Sequence, residues 1–180
     1  MKIGVTVVFC TLVAVGIAAF SCEIRALVWH ASHGFTQKWN DLEIRVPLKY
    51  EVRETSSRSV QLFVLPGYLR VRLRAPFGVI SLVRAGSDAE GDEIEQIDSR
   101  IAASREKQGF RLVNTRPLEI AGTPMQCREQ LANDFRSYGP ASIVHCQAEN
   151  KRLFASFEGS AALLNEFYLV ASEIRSVHRK

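Results

Sequence analysis

Three arginines at alternate positions form the pattern in this sequence that most suggests a binding surface. In YLRVRLRAP (68–76), Arg70, Arg72 and Arg74 share one face of a predicted strand and alternate with aliphatic residues. Guanidinium groups spaced about 6.8 Å apart repel one another unless negative charge neutralises them. The pattern predicts either a face paired with the acids between residues 90 and 95, or a surface for anionic phospholipid or an acidic partner.

Two of the four cysteines, Cys127 and Cys146, lie in the strand-like segments TPMQCREQL and SIVHCQAEN. In an oxidising compartment, cysteines on neighbouring strands form a disulfide when their Cβ atoms come within about 4.5 Å. We predict a Cys127–Cys146 bond that stabilises the fold and carries no chemistry. The alternative is a pair of buried free cysteines that never meet. Neither cysteine has a second ligand at CxxC spacing, so no metal site is predicted.

The histidines and Ser160 offer little catalytic chemistry. His30 and His33 could share a helical face as half of a metal site, but we interpret them as solvent or interfacial residues because they lack an Asp or Cys partner. His145 and His178 are isolated in the sequence. FEGSAAL lacks the GxSxG elbow, so Ser160 is predicted to cap a helix. We therefore predict no catalytic residue, metal or cofactor, and we expect the protein not to be an enzyme.

The segment from Ile3 to Ser21 carries no charge and has the length of a bilayer-spanning helix. Lys2, the only cation before it, predicts a cytoplasmic N-terminus and a domain on the extracytoplasmic side of the cytoplasmic membrane. The following apolar stripe includes Trp29, which suits the headgroup region. These features favour a retained single-pass anchor.

Other fates of this segment stay open. Leader peptidases require small residues at the first and third positions before the cleavage site, and Ala19-Phe20-Ser21 satisfies both. Cleavage before Cys22 would release a periplasmic or secreted protein. Lipidation of Cys22 is disfavoured because Phe20 stands where a small residue is needed. A buried core helix of a cytosolic protein is the remaining interpretation.

Composition predicts one globular domain behind this segment. Of the 180 residues, 47% are hydrophobic and 23% are charged, which is typical of a globular fold. Lys and Arg number 23 against 19 acids, an excess too small to indicate nucleic-acid binding. We assign residues 1–22 to an anchor or signal peptide, 23–38 to a juxtamembrane linker and 39–180 to an extracytoplasmic domain.

Hydrophobic periodicity predicts strands and two helices in that domain. Between Ser87 and Gln108, Ile94, Ile97 and Ile101 recur on one helical face, and Gly109 can end the helix. A second helix, capped by Ser160, must pack on the sheet through an apolar stripe: Leu163, Phe167, Val170, Ile174 and Val177. The strands are predicted in LEIRVPL, SVQLFVL, YLRVRLRAP, FGVISLVRAG, FRLVNTRPLEI, TPMQCREQL and a final hairpin that turns at Asn150-Lys151.

This order predicts an α+β fold, in which a mostly antiparallel sheet and two packed helices form an α/β/α sandwich behind a transmembrane or signal helix. From about Trp39 to Val177, the element order resembles the PsbP-like family of small exported domains. The resemblance implies an accessory or binding subunit attached to a membrane, and it carries over no site residue.

We therefore expect a membrane-tethered extracytoplasmic accessory or binding domain without catalytic activity. Residues 3–21 would contact the membrane, and a protein partner or anionic lipid would bind the domain. The alternatives are a cleaved, secreted binding protein and an enzyme of unrecognised type. The enzyme would need a cleft lined by Arg70, Arg72 and His145.

Overall fold

The computed structural model describes residues 2–65, 75–135 and 139–177, with all their side chains except those at 2–9, 11, 12, 17–19, 22 and 54. These ranges contain an α+β domain behind a long N-terminal helix. The helices are α1 (Lys2–His33), α2 (Asp88–Lys107) and α3 (Leu164–Ser172). The strands are β1 (Thr36–Trp39), β2 (Leu42–Arg45), β3 (Glu51–Thr55), β4 (Ser59–Val64), β5 (Gly78–Arg84), β6 (Arg111–Ile120), β7 (Thr123–Ala132), β8 (Ala141–Ala148), β9 (Leu153–Ser160) and β10 (Arg175–Ser176).

Within the described ranges the strands form two antiparallel sheets. The main sheet has seven strands in the order β3-β4-β5-β9-β8-β7-β6, and the small sheet has the order β1-β2-β10. The β6–β7 hairpin turns at Ala121 and Gly122, whose φ angles of 51° and 81° suit a tight hairpin turn. The predicted antiparallel α+β architecture is therefore confirmed.

One face of the main sheet carries the larger apolar core. The small sheet contributes Trp39 and Ile44 to it, and α3 contributes Phe167 and Val170. The Phe167 ring stacks on Phe157 of β9 with ring centroids 5.6 Å apart. This face, which we call the apolar face, holds α3 as the sequence predicts.

The start of α3 differs from the prediction. Ser160 is the last residue of β9, and its side chain makes no capping hydrogen bond. Its Oγ instead accepts a hydrogen bond from the backbone N–H of Phe77 at 3.1 Å. A 3-10 turn at Ala161–Leu163 leads into the helix, and Ile174 is buried just beyond its end. Ser160 thus joins two backbone segments and does not cap the helix.

Helix α2 lies on the other face of the main sheet, which we call the polar face. Ser87 caps it by accepting a hydrogen bond from the Glu90 N–H at 3.2 Å, and Gly109 follows it with φ 92°. The predicted isoleucine stripe does not pack on the sheet, because Ile97 is 46% exposed and Ile101 is 38% exposed. The sheet-facing positions include an acid and small residues: Gly91, Asp98 and Ala102.

A close backbone approach fixes this orientation of α2. A Cβ atom at Gly91 would lie 2.4 Å from the carbonyl oxygen of Lys151, in the β8–β9 turn. Only glycine allows the helix to sit this close to the turn. Contact at this point turns the isoleucines outward.

Helix α1 changes character at Phe20, where the backbone leaves helical geometry with φ −112° and ψ 16°. Beyond this kink the helix packs on the domain. Ala26 and His30 are buried, and the Arg25 guanidinium lies 3.4 Å from the Glu51 carboxylate. The end of α1 is thus part of the folded domain.

The segment assigned to a linker, 23–38, consists of the end of α1 and most of β1. Among the described residues, no helix combines the length and the apolar character of a membrane span. Many side chains of segment 3–21 lie outside the description.

Candidate binding cavity between α2 and the main sheet

A cavity of about 490 Å³ lies between α2 and the polar face of strands β6 to β8. Small-molecule sites commonly enclose a few hundred Å³ and contain a few convergent polar groups. Here α2 supplies Glu95, Asp98 and Glu106, whereas the sheet supplies Arg128, Gln130 and His145. The cavity therefore has an acidic helical wall and a floor of basic and amide side chains.

Strand alternation places the floor residues. Gln126, Arg128 and Gln130 occupy every second position of β7, so they share the face opposite to Cys127. His145 occupies the corresponding face of β8 and pairs directly with Arg128 across the two strands. The two side chains thus emerge next to each other on the floor.

The predicted disulfide between Cys127 and Cys146 is confirmed, with the two sulfur atoms 2.02 Å apart. These cysteines pair directly across β7 and β8, one position from Arg128 and His145. The bond lies on the apolar face and fixes the register that places the floor residues on the polar face. It also indicates an extracytoplasmic location, because such bonds persist in oxidising compartments.

His145 has uncommitted ring nitrogens. Its Nδ1 lies 3.6 Å from the Asp98 carboxylate, which is longer than a hydrogen bond. Both nitrogens are buried, and neither has a hydrogen-bond partner among the described residues. A neutral imidazole has one donor and one acceptor nitrogen, so His145 can give one bond and receive another.

Gln130 is also unsatisfied. The residue is only 4% exposed, and its side-chain oxygen Oε1 has no hydrogen-bond partner in the described part of the chain. Leaving a buried acceptor unpaired costs about 1–3 kcal/mol. A donor that enters the cavity would remove this cost.

The charges around the cavity are neutralised unevenly. Lys151 lies 2.8 Å from the Glu95 carboxylate, and this hydrogen bond lowers the pKa of Glu95 below its usual value. By contrast, neither Arg128 nor Glu106 forms an ion pair with any residue that the structure describes. Arg128 and Glu106 thus remain available to a ligand.

Ion pairs hold both ends of α2 on the sheet and leave its middle above the cavity. Near its N-terminus the distances are 2.9 Å for Asp88–Arg152, 2.9 Å for Glu90–Arg58 and 2.7 Å for Asp92–Lys151. Near its C-terminus, Arg105 lies 2.5 Å from Glu158 of β9. The helix thus spans the cavity as a bridge anchored at both ends.

The other predicted site residues contribute nothing to this cavity. Arg70, Arg72 and Arg74 lie outside the described residues, as does His178. His30 is buried and not at a solvent surface: its ring nitrogens lie 2.8 Å and 3.1 Å from the carbonyl oxygens of Gly34 and Pro47. No group of three or more His, Cys, Asp or Glu side chains suited to a metal occurs in the ranges that the structure describes.

The cavity could not be recognised from local sequence patterns, because His145 is isolated along the chain. Its neighbours Asp98 and Arg128 come from a helix and another strand. A signal was nevertheless present, since polar residues alternate through both β7 and β8: Gln126, Arg128, Gln130, His145 and Gln147. Such alternation predicts a polar sheet face, although it does not predict what covers that face.

No protein-family model matches this chain, and no curated protein matches its sequence. Among solved structures, a Pseudomonas aeruginosa protein of unknown function is similar over 73% of this chain and 85% of its own, with 11% identity and a TM-score of 0.35. A Bacteroides thetaiotaomicron protein is similar over 78% of this chain and 46% of its own, with 11% identity and a TM-score of 0.28. Likenesses this distant carry no argument about family or function, so the PsbP-like resemblance stays a prediction.

Proposed function

We propose that this protein is a membrane-tethered extracytoplasmic domain that binds a small polar ligand in the cavity beneath α2, without catalysing a reaction. The observation that carries the proposal is a set of buried polar atoms without hydrogen-bond partners in the cavity: Gln130 Oε1 and both ring nitrogens of His145. Buried polar groups in folded proteins are normally hydrogen-bonded, and exceptions need a partner such as water or a ligand.

The chemistry of the cavity favours binding over covalent catalysis. A general base acts on a group about 2.6–3.2 Å away. Among the described residues, no hydroxyl or thiol lies within hydrogen-bond reach of either His145 nitrogen. The cavity's described hydroxyls, Ser99 and Thr115, thus make no hydrogen bond with His145, and the His145–Asp98 pair supplies polar contacts.

The form of α1 supports the tether. Segment 3–21 carries no charge, and its described apolar side chains Val13 and Val15 are roughly half exposed. Apolar surface that does not pack on the domain is favourably covered by lipid. Because α1 packs on the domain soon after Phe20, a retained anchor would hold the domain near the membrane surface.

Cell fractionation with intact-mass analysis tests the tether. We expect the full chain in the membrane fraction, with a mass two hydrogens lower than that of the reduced chain. A soluble product that begins at Cys22 would contradict the tether and support cleavage. A diacylated product would show lipid attachment at Cys22.

Nuclear magnetic resonance of the full chain in detergent micelles tests the cavity. Amines, carboxylates, amino acids, short peptides and neutral sugars would be added in turn while the side-chain amide signals are followed. We expect at least one class to shift the Gln130 signal and to leave unchanged the signal of Gln37, which does not line the cavity. A panel that moves neither signal would contradict ligand binding at this site.

A further inference from the structure

The two sides of the cavity carry opposite charges that do not neutralise each other. The Arg128 guanidinium on the floor forms no ion pair with a described residue, and the Glu106 carboxylate on the wall is equally free. Asp98 has only the 3.6 Å contact with His145. Lys151 already neutralises Glu95, which leaves Asp98 and Glu106 as the wall's available acids. Glu149, just beyond the end of β8, also lines the cavity and forms no ion pair with a described residue.

This arrangement disfavours ligands with a single sign of charge. A purely anionic ligand would meet Arg128 but would also approach Asp98 and Glu106, whereas a purely cationic one would approach Arg128. Like charges held a few Å apart in a partly desolvated site repel strongly. A ligand that presents one charge of each sign can satisfy both sides.

We infer that the cavity binds a small zwitterion with the chemistry of a short peptide or an amino acid. This inference rests on the proposed function and adds the ligand class. The ligand's ammonium group faces Asp98 and Glu106, and its carboxylate meets Arg128. The volume of about 490 Å³ lies within the usual range of small-molecule sites.

The unsatisfied neutral groups complete the match. Gln130 Oε1 is an acceptor without a donor, and a ligand N–H would supply one. His145 lies next to Arg128 on the floor, so its N–H can add a second hydrogen bond to the carboxylate. A peptide carries ammonium, amide and carboxylate groups and can meet all of these side chains at once.

Three forms of one dipeptide test the inference. Alanyl-alanine has both charges, its N-acetyl form keeps only the carboxylate, and its C-terminal amide keeps only the ammonium. With the full chain in micelles, we expect alanyl-alanine to bind roughly tenfold or more tightly than either blocked form, because each lost charge removes a charge-assisted hydrogen bond.

Two variants assign the charges to the two sides of the cavity. Arg128→Gln should bind alanyl-alanine no better than it binds the C-terminal amide. Asp98→Asn should show a smaller preference for alanyl-alanine over the N-acetyl form, because Glu106 still faces the ammonium group. Arg111→Gln and Glu93→Gln are matched controls, because both residues are exposed and neither lines the cavity. The controls should keep wild-type affinity, and circular dichroism checks the fold of all four variants.

The outcomes separate this inference from the proposed function. If the blocked forms bind as tightly as alanyl-alanine and shift the Gln130 signal, the inference of a zwitterionic ligand is wrong, whereas the proposal of ligand binding in the cavity is supported. Equal losses in the cavity variants and their controls would also overturn the inference. If neither the dipeptides nor the rest of the panel moves the Gln130 signal, both proposals fail.

Discussion

The two faces of the main sheet are covered by different kinds of interaction. On the apolar face, α3 and the small sheet bury aromatic and aliphatic side chains such as Trp39, Phe157 and Phe167. On the polar face, a smaller apolar cluster around Phe110 and Ile143 supports one end, and ion pairs fasten α2 above a polar cavity.

This difference separates the interactions that stabilise the domain from those that surround the proposed binding cavity. Apolar burial contributes most of a domain's stability, whereas exposed ion pairs typically contribute only about 0–1 kcal/mol each. Helix α2 can thus adjust to a ligand without unfolding the core beneath the other face. Regions with few buried apolar contacts are those that open most readily.

The largest effect that we expect comes from cutting an aromatic ring out of the apolar face. Phe167→Ala should lower the free energy of unfolding by about 3–5 kcal/mol, because the ring is fully buried against Phe157. The matched change on the polar-face helix, Ile97→Ala, should stay within about 0.5 kcal/mol because that side chain is largely exposed. Urea unfolding measures the stability of both variants. Equal losses of stability would contradict the difference between the two faces of the sheet.

Removal of the disulfide should have the next largest effect. The bond joins residues 19 positions apart, and the chain-entropy model assigns a loop of this size roughly 3 kcal/mol. We expect the double change Cys127→Ala and Cys146→Ala to cost about that much in urea unfolding. Cys10→Ser is the control, since Cys10 is exposed and unbonded. A double variant as stable as the control would contradict the expectation.

A single substitution at Tyr50 on the apolar face should raise the free energy of unfolding by a smaller amount. Tyr50 is fully buried, and its hydroxyl has no hydrogen-bond partner among the described residues. Tyr50→Phe keeps the ring and removes this unsatisfied group, so we expect a gain of about 1 kcal/mol at pH 7. A loss of stability in urea unfolding would contradict this expectation.

The same variant should change the response to alkali. Burial, together with the nearby Glu166 carboxylate, raises the pKa of Tyr50 above its usual value of 10.0. A raised pKa means that the stability from this group is complete below about pH 10 and declines as the pH rises further. Tyr50→Phe should therefore lose less stability than the wild type between pH 9 and 11, as measured by the urea midpoint.

The smallest effect concerns the ion pairs of α2. Because Lys151 holds the pKa of Glu95 below its usual value of 4.5, their contribution is complete above that pH and is lost as the pH falls through the lowered pKa. Lys151→Gln should return the Glu95 titration midpoint to about 4.5, whereas the exposed Lys38→Gln should leave it low. Carboxyl chemical shifts measure the midpoints, and an unchanged midpoint in Lys151→Gln would contradict this attachment of α2.

Local patterns in the sequence predicted much of the apolar face. The sequence pattern in β7 and β8 placed Cys127 and Cys146 on strands. These signals come from residues close together in the chain. The strand at Thr36–Trp39 was missed because four residues with little alternation give no clear period.

The polar face could not be derived in the same way. Periodicity identifies a helix at 88–107, but it cannot decide between an isoleucine stripe and an acidic stripe as the side that faces the sheet. The choice depends on Arg58, Lys151 and Arg152, which come from other parts of the chain and form ion pairs with its acids. It also depends on Gly91, whose missing side chain admits the carbonyl of Lys151.

If the cavity binds a ligand as proposed, the disulfide also determines when in the life of the protein that binding becomes possible. Cys127 and Cys146 lock the register that sets Arg128 beside His145, although the bond and the cavity lie on opposite faces of the sheet. A newly made chain in a reducing compartment lacks this lock. Full ligand affinity would then arise only after the cysteines are oxidised. The protein would bind its ligand weakly during synthesis and tightly once it reaches an oxidising compartment.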